Sequence, residues 1–197
     1  MKKLILVRHA KTQANDLGKL TGHSETILSK EGQIQAKKLS AYLCKYHIDS
    51  IYSYTMQRCL ETVSDIAKRA SISIKVIEDF REINFGIFEN HTFGEINGLY
   101  PKEVDKMLEE GHAYIYPEGE SIIDSYKRNI RAIELVLDRE EGQNILICAH
   151  AGTIRNLLSY FVMNNYHAHW HFQIDNASVT IVEITDGFPV IKLSLIH

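Results

Sequence analysis

Short apolar runs that alternate with helical patterns are the feature that most restricts the fold of this chain. Four runs have strand character: Leu4–Val7, Ile48–Ser53, Ile72–Ile77 and Asn144–Ala149. Short apolar runs of this kind are typical of strands buried on both faces, as in a parallel sheet. The pattern predicts an α/β fold, a three-layer sandwich in which a largely parallel sheet is flanked by helices.

The segments between these runs repeat their apolar residues with helical spacing. Serine caps favour two of the helix starts, at Ser29 and at the capping-box pattern Ser121-Ile-Ile-Asp124. Asp186-Gly187 between two strand-like runs predicts a hairpin near the end of the chain. The predicted elements are helices over Lys30–Tyr46, Thr55–Ala70, Ile122–Leu137 and Ile154–Phe161, and hairpin strands over Ser178–Ile184 and Phe188–Ile196.

Length and composition indicate one folded unit. The 197 residues are 45% apolar and 24% charged, and neither a repeat nor a linker rich in Gly, Ser or Pro divides them. We therefore expect a single domain over residues 1–197. The net charge of −3 gives no general attraction to nucleic acid or anionic lipid. Residues 1–75 nevertheless carry 13 basic and 6 acidic side chains, so an anion site in that half is conceivable.

The expected compartment is the cytoplasm. The chain has an odd number of cysteines, Cys44, Cys59 and Cys148, which are far apart and set among apolar neighbours. This pattern favours reduced core thiols over a disulfide framework. The apolar run that follows Lys2 and Lys3 is only four residues long, too short for the core of a signal peptide. No stretch approaches the ~20 apolar residues that cross a bilayer, so we expect no membrane partner.

Polar side chains follow the predicted strands where ligands bind in parallel sheets, at the carboxyl ends. Arg8 and His9 come directly after the first strand, and His150 follows Ala149; Arg58 lies five residues beyond Ser53, in a first helical turn. A neutral imidazole is a nucleophile, and planar guanidinium groups bind phosphate oxygens two at a time. With a carboxyl group to protonate the leaving alkoxide, this set could transfer a phosphoryl group without a metal.

The same residues resemble a known signature. Leu6-Val-Arg-His-Ala-Lys-Thr-Gln-Ala-Asn15 is similar to the Arg-His-Gly-x-Thr-x-x-Asn motif of the histidine phosphatase superfamily, the phosphoglycerate mutase-like proteins. Further blocks follow in the family's order and span residues 4 to 158. They are Thr21-Gly22, Leu28–Gly32, Gln35-Ala36, Ser53 with Arg58 and Thr62, Phe80–Glu89, Pro117–Ser121 and Ala149–Arg155.

The resemblance implies a role for each matched residue. His9 would be the phosphorylated nucleophile, and Glu82 the proton donor to the leaving oxygen and later the base that activates water. A phosphate pocket would be formed by Arg8, Arg58 and His150. Further phosphate or substrate contacts are implied for Asn15, Thr21, Gly22 and the backbone N–H of Ala151. No metal and no organic cofactor are expected.

The implied activity is hydrolysis of a small phosphorylated metabolite, in the branch that contains α-ribazole phosphatase and broad-specificity phosphatases. One candidate substrate is α-ribazole 5′-phosphate. Two alternatives stay open: a phosphoglycerate mutase that uses the same pocket, and a non-catalytic module that binds a phosphate ligand. A homodimer is a further expectation, because the terminal hairpin offers an edge strand for pairing.

Several residues have competing interpretations. Glu89 rivals Glu82 as the proton donor, and Asn90 stands where the family often has Gly, a position that Asn tolerates. Arg155 is expected to support structure rather than to touch substrate. Alternate histidines on a strand, here His167, His169 and His171, could hold a metal, but a structural or surface role is the favoured interpretation. Packing is likewise favoured over a lid for Tyr100, Tyr114 and Tyr116.

Overall fold

A six-stranded sheet lies at the centre of the computed structural model, which describes residues 1–194. The spatial order of its strands is β3-β2-β4-β1-β5-β6. The strands from β3 to β1 run parallel, whereas β5 is antiparallel to β1 and β6 is antiparallel to β5. The strands are β1 Lys2–Arg8, β2 Ser50–Ser53, β3 Ile74–Val76, β4 Asn144–Ala149, β5 Val179–Thr185 and β6 Phe188–Ser194.

Helices cover both faces of this sheet. Side chains of β1 alternate between the faces, since Leu4 and Leu6 join one apolar cluster whereas Ile5 and Val7 join another. The first cluster includes residues of α6 and α7, and the second includes residues of α2 and α3. The predicted three-layer α/β fold is therefore confirmed. The helices are α1 Gln13–Asp16, α2 Lys30–Leu43, α3 Gln57–Ala70, α4 Phe93–Leu99, α5 Pro101–Glu110, α6 Ile122–Arg139 and α7 Ala151–Met163.

The predicted element boundaries agree with the structure to within a few residues. Ser29 caps α2 by accepting the N–H of Gly32 at 3.1 Å, and Ser121 forms a capping box with Asp124. The helix predicted over Lys30–Tyr46 is α2, which ends at Leu43. Residues 195 and 196 of the predicted last strand lie outside the described residues. Over residues 1–194, no helix combines the length and the apolar character that crossing a membrane requires.

The segment between β3 and α6 contains α4 and α5 and forms a small apolar cluster of its own. Tyr114 and Tyr116 are buried in this cluster, with their ring centroids 5.2 Å apart in an edge-to-face arrangement. Tyr100 is half-buried against the same cluster. The three tyrosines are packing residues, as favoured from the sequence, and the cluster fixes the segment that carries Glu82.

The histidine-rich segment has the structural role that the sequence favours for it. His169–His171 form a turn of 3-10 helix, and the buried His169 ring is hydrogen-bonded through Nδ1 to Oδ1 of Asn156 at 2.7 Å. Within residues 1–194, no three side chains of His, Cys, Asp or Glu come together as a metal-ligand set.

The prediction of core thiols was wrong for one of the three cysteines. Cys59 and Cys148 are buried thiols, but Cys44 is exposed, because it caps the C-terminus of α2 at the surface.

Candidate active site

The parallel register of β1 and β4 brings two histidines together. Arg8 is opposite Ala149, so the next residues, His9 and His150, leave the sheet side by side, and the N–H of His9 donates to the carbonyl of Ala149 at 3.0 Å. Their ring centroids are 5.3 Å apart in an edge-to-face arrangement. The expectation that two strand ends meet at one site is therefore confirmed.

His9 is held as one tautomer of the neutral ring. Its Nδ1 lies 2.9 Å from the carbonyl oxygen of Ala10, which can only accept, so Nδ1 carries the proton and Nε2 carries the lone pair. Burial lowers the pKa of His9 well below its usual value, and the charges of Arg8 and Arg58 lower it further. An unprotonated Nε2 is the form that can act as a nucleophile.

His150 has the opposite tautomer. Nε–H of Arg58 donates to its Nδ1 at 3.3 Å, which leaves the ring proton on Nε2. Burial lowers the pKa of His150 well below its usual value, and Arg58 is the next largest cause. In the neutral ring, Nε2 carries the proton and lies 3.6 Å from Sγ of the buried Cys59.

Arg58 is fully buried in the first turn of α3, where it binds a loop. Its guanidinium donates to the carbonyls of Gly22 and Ser24 at 2.7 and 2.8 Å, and to that of Thr21 at 3.4 Å. Gly22 is required at its position, because a Cβ there would lie 1.8 Å from the carbonyl oxygen of Ile83. Thr21 and Gly22 therefore lie beside the predicted pocket, but their carbonyls are oriented toward Arg58.

Arg8 is the last residue of β1, directly before His9. It donates through Nη1 to the carbonyl of Ile174 at 2.6 Å, while its Nε is buried without a partner among the described residues. Burial lowers the pKa of Arg8, and the negative charge of Glu82 opposes that shift. A buried N–H without an acceptor is consistent with a site that receives an anion.

Glu82 is 7% exposed and connects the segment between β3 and α6 to the start of α7. Its carboxylate accepts the backbone N–H of Ile83 through Oε1 and that of Gly152 through Oε2, each at 2.9 Å. Burial raises the pKa of the neighbouring Tyr116 phenol to about 12, and the negative charge of Glu82 contributes to that increase. Glu82, Arg8 and Arg155 are therefore close enough to interact electrostatically.

Glu89, the rival carboxylate, has a different environment. It accepts backbone N–H groups from Gly22, His23, Ser24 and Phe85 at 3.0 to 3.2 Å. A carboxylate bound by so many amides organises the loop that Arg58 holds from the other side. These contacts give Glu89 a structural role in that loop.

The remaining predicted contacts lie at the same edge of the sheet. Oδ1 of Asn15 accepts the N–H of Thr12 and Nδ2–H of Asn176, each at 3.1 Å. Asn176 also donates to the carbonyl of His9 at 3.1 Å, so Asn15 is linked to His9 through one side chain. Ala151 is the first residue of α7, where a backbone N–H has no acceptor within the helix.

A family model describing the histidine phosphatase superfamily (branch 1) matches residues 4–196. The chain belongs to this superfamily. Phosphoserine phosphatase 1 of Hydrogenobacter thermophilus is 30% identical to it over 196 residues, which cover 99% of this chain and 93% of the relative. The adenosylcobalamin/alpha-ribazole phosphatase of Escherichia coli is 24% identical over 191 residues, which cover 97% of this chain and 94% of the relative.

Solved structures of histidine phosphatases have the same fold. The alpha-ribazole phosphatase of Shigella flexneri superposes with a TM-score of 0.92 at 24% identity, covering 98% of this chain and 95% of that one. Phosphoserine phosphatase of Entamoeba histolytica, solved in complex with 3-phosphoglyceric acid, gives a TM-score of 0.86 at 29% identity, with 100% and 98% coverage. Like these relatives, this histidine phosphatase is a phosphoric monoester hydrolase.

Sequence reasoning missed the contribution of two arginines to this histidine phosphatase site. Arg155 supports structure, as expected, by donating through Nε to the carbonyl of Phe172 at 2.9 Å, and its guanidinium lies 5.2 Å from the ring centroid of Trp170. It also interacts electrostatically with Glu82. Arg128 is buried against the backbone that carries Glu82, and neither its spacing nor its neighbours in the sequence predict that contact.

Proposed function

We propose that this protein hydrolyses a small phosphomonoester without a metal, through a covalent phosphohistidine on His9. The observation that carries the proposal is the state of the His9 ring. Its proton is fixed on Nδ1 by the Ala10 carbonyl, its pKa is lowered, and the lone pair on Nε2 lies beside His150 and the guanidinium charges. A ligand-binding module would not need an unprotonated imidazole at this position.

In the first step the Nε2 lone pair of His9 attacks phosphorus, the N–P bond forms and the ester P–O bond breaks. The leaving oxygen takes a proton from the carboxyl group of Glu82. Arg8, Arg58 and His150 stabilise the charge that collects on the other phosphate oxygens.

In the second step water attacks the phosphohistidine and gives a proton to the Glu82 carboxylate. The N–P bond breaks, its electron pair returns to Nε2 of His9, and inorganic phosphate leaves. Asn15, the N–H of Ala151 and the loop of Thr21 and Gly22 are proposed to line the same pocket. They would hold the phosphoryl group in place through both steps.

The proposed substrate is a small metabolite, since the net charge of the chain disfavours long polyanions. Relatives that match almost the whole chain are named for alpha-ribazole and for phosphoserine, so α-ribazole 5′-phosphate and phosphoserine are the first candidates. A panel of metabolite phosphates ranked by kcat/KM tests this choice. Interconversion of 2- and 3-phosphoglycerate without release of phosphate would instead identify a mutase.

Two further expectations remain proposals. β6 is an edge strand of the sheet, with the side chain of Phe188 exposed, and we expect it to pair in a homodimer. Sedimentation equilibrium measures that association. The cytoplasm remains the expected compartment, and fractionation of the producing cells tests it.

Replacing His9 with Ala tests the mechanism. The variant should lose more than about 10³-fold in turnover, because the covalent route ends. His47→Ala is a matched control, since His47 is exposed and its Nε2 lies 2.9 Å from Oδ1 of Asp49. An acid-labile phosphoryl adduct should form on the parent protein and be absent from His9→Ala. Full turnover by His9→Ala would overturn the proposal, and neither adduct nor turnover in the parent across the panel would favour a binding module.

A further inference from the structure

Arg128 of α6 contacts the backbone of the segment that carries Glu82. It is 4% exposed, and its Nη1 donates to the carbonyls of Asp79 and Arg81 at 3.0 and 2.9 Å. Its Nη2 donates to the carbonyl of Glu82 at 3.3 Å. This stretch follows a turn of 3-10 helix and belongs to no strand, so its carbonyls depend on such side-chain donors.

The same guanidinium is also linked to the chain beyond Glu82, at Asn84. Nη2 of Arg128 forms an ion pair with Oε1 of Glu120 at 2.5 Å, and that oxygen also accepts the N–H of Asn84 at 3.1 Å. Arg128 thus contacts the chain directly up to Glu82 and is linked to Asn84 through the Glu120 carboxylate. A planar fork with several donors can make these contacts together, which the single ammonium of Lys cannot do.

Other groups hold the same backbone without Arg128. Nδ2–H of Asn129 donates to the carbonyl of Asp79 at 2.7 Å. The hydroxyl of Thr153 donates to the carbonyls of Phe80 and Arg81 at 3.2 and 3.1 Å. Loss of the Arg128 fork would therefore loosen the Glu82 segment while its attachment to α6 and α7 remains.

We propose that Arg128 is a positioning residue, which sets the place of the Glu82 carboxyl relative to the leaving oxygen. The inference rests on the proposed role of Glu82 as the proton donor. It predicts a specific kinetic pattern, because protonation matters most for a leaving group that is unstable as an anion. Misplacement of Glu82 should slow the release of an alkoxide and leave the release of a stable phenolate almost unchanged.

The experiment compares kcat/KM, which reports the step that releases the alcohol, for O-phosphoserine and p-nitrophenyl phosphate. Arg128→Lys should lower the value for O-phosphoserine by about 10- to 100-fold, since misplacement by 1 Å can reduce rates by that order. For p-nitrophenyl phosphate the decrease should stay below about threefold. Arg131→Lys is the matched control, since Arg131 is exposed on the same helix, and both values should stay unchanged.

Glu82→Gln is measured beside these variants, so that the two proposals can fail separately. If Glu82→Gln is selective for O-phosphoserine but Arg128→Lys slows both substrates equally, Arg128 is only structural and the positioning proposal is overturned. If Glu82→Gln itself shows no selectivity, the proton-donor role is wrong and the positioning proposal falls with it. Should Arg128→Lys not fold, as judged by circular dichroism, Glu120→Gln replaces it. A smaller but selective decrease supports the proposal, and an equal decrease overturns it.

Discussion

Replacement of Gly152 by Ala moves Glu82 without removing any functional group. The N–H of Gly152 donates to Oε2 of Glu82 at 2.9 Å, and a Cβ built on Gly152 would lie 2.3 Å from Oε1 of the same carboxylate. The new methyl group would also lie 3.1 Å from Cδ1 of Ile83. Carbon and oxygen ordinarily approach no closer than about 3.3 Å, so the carboxylate has to move by about 1 Å.

A displacement of this size should decrease kcat/KM for an alkyl phosphate by about 10²-fold. The crowding of Glu82 and Ile83 should lower the free energy of unfolding by about 1–3 kcal/mol. The gain of about 1 kcal/mol from replacing Gly by Ala in a helix partly offsets that loss. The Gly152→Ala protein should therefore remain folded at 25 °C, because domains of this kind have about 5–15 kcal/mol of stability.

The assay is kcat/KM for O-phosphoserine together with a urea unfolding curve. Gly98→Ala is the matched control, because Gly98 lies in α4 and a Cβ there would meet nothing within 4 Å. The control should keep its activity and not lose stability. A folded Gly152→Ala protein with activity within about threefold of the parent would refute the reasoning, since a 1 Å shift of a proton donor should reduce the rate far more.

Two further predictions concern stability. Burial lowers the pKa values of His9, His150 and His169, the last to about 3. These rings therefore stay neutral in the folded protein, whereas the histidines of the unfolded chain take up protons below about pH 6.5. The free energy of unfolding should therefore fall as the pH drops through this range, with a slope approaching about 1.4 kcal/mol per pH unit for each ring. Equal urea midpoints at pH 7 and pH 5.5 would contradict this prediction. Asn90 has a φ of +62° and donates to Oγ of Ser24 at 2.9 Å, so Asn90→Ala should lower the free energy of unfolding by about 1–2 kcal/mol. Asn90→Gly should lose less, since Gly adopts that backbone freely, and an Ala variant as stable as the Gly variant in urea would argue against strain.

The meeting of His9 and His150 could be predicted because it depends on local pattern and one topological rule. Two apolar runs too short for helices had to be buried strands, and the carboxyl ends of parallel strands lie at one edge of a sheet. The exact register, with Arg8 opposite Ala149, required the structure. The departure from Gly at Asn90 was also interpreted correctly, since its backbone is left-handed.

The support of Glu82 could not be predicted, because its partners are far away in the chain and follow no period. Arg128 lies 46 residues from the Glu82 carbonyl that it binds, and the N–H of Gly152 lies 70 residues from the Glu82 carboxylate. Residues 81–85 contain no helix or strand, so no hydrophobic periodicity constrains them. The partner of His169 is equally non-local, since its ring is hydrogen-bonded to Asn156, 13 residues earlier in the chain.

The hydrogen bonds that Arg58 donates to the backbone affect both the structure of the site and its charge. Its three loop partners are carbonyl oxygens of Thr21, Gly22 and Ser24, which satisfy the N–H groups without cancelling the positive charge. A carboxylate in their place would have neutralised Arg58 and removed one cause of the low pKa values of His9 and His150. Because the charge persists, Arg58 adds to the effect of burial in keeping the His9 ring neutral, and a positive charge remains beside that ring. The loop that buries Arg58 therefore contributes to both the reactivity and the binding of the site.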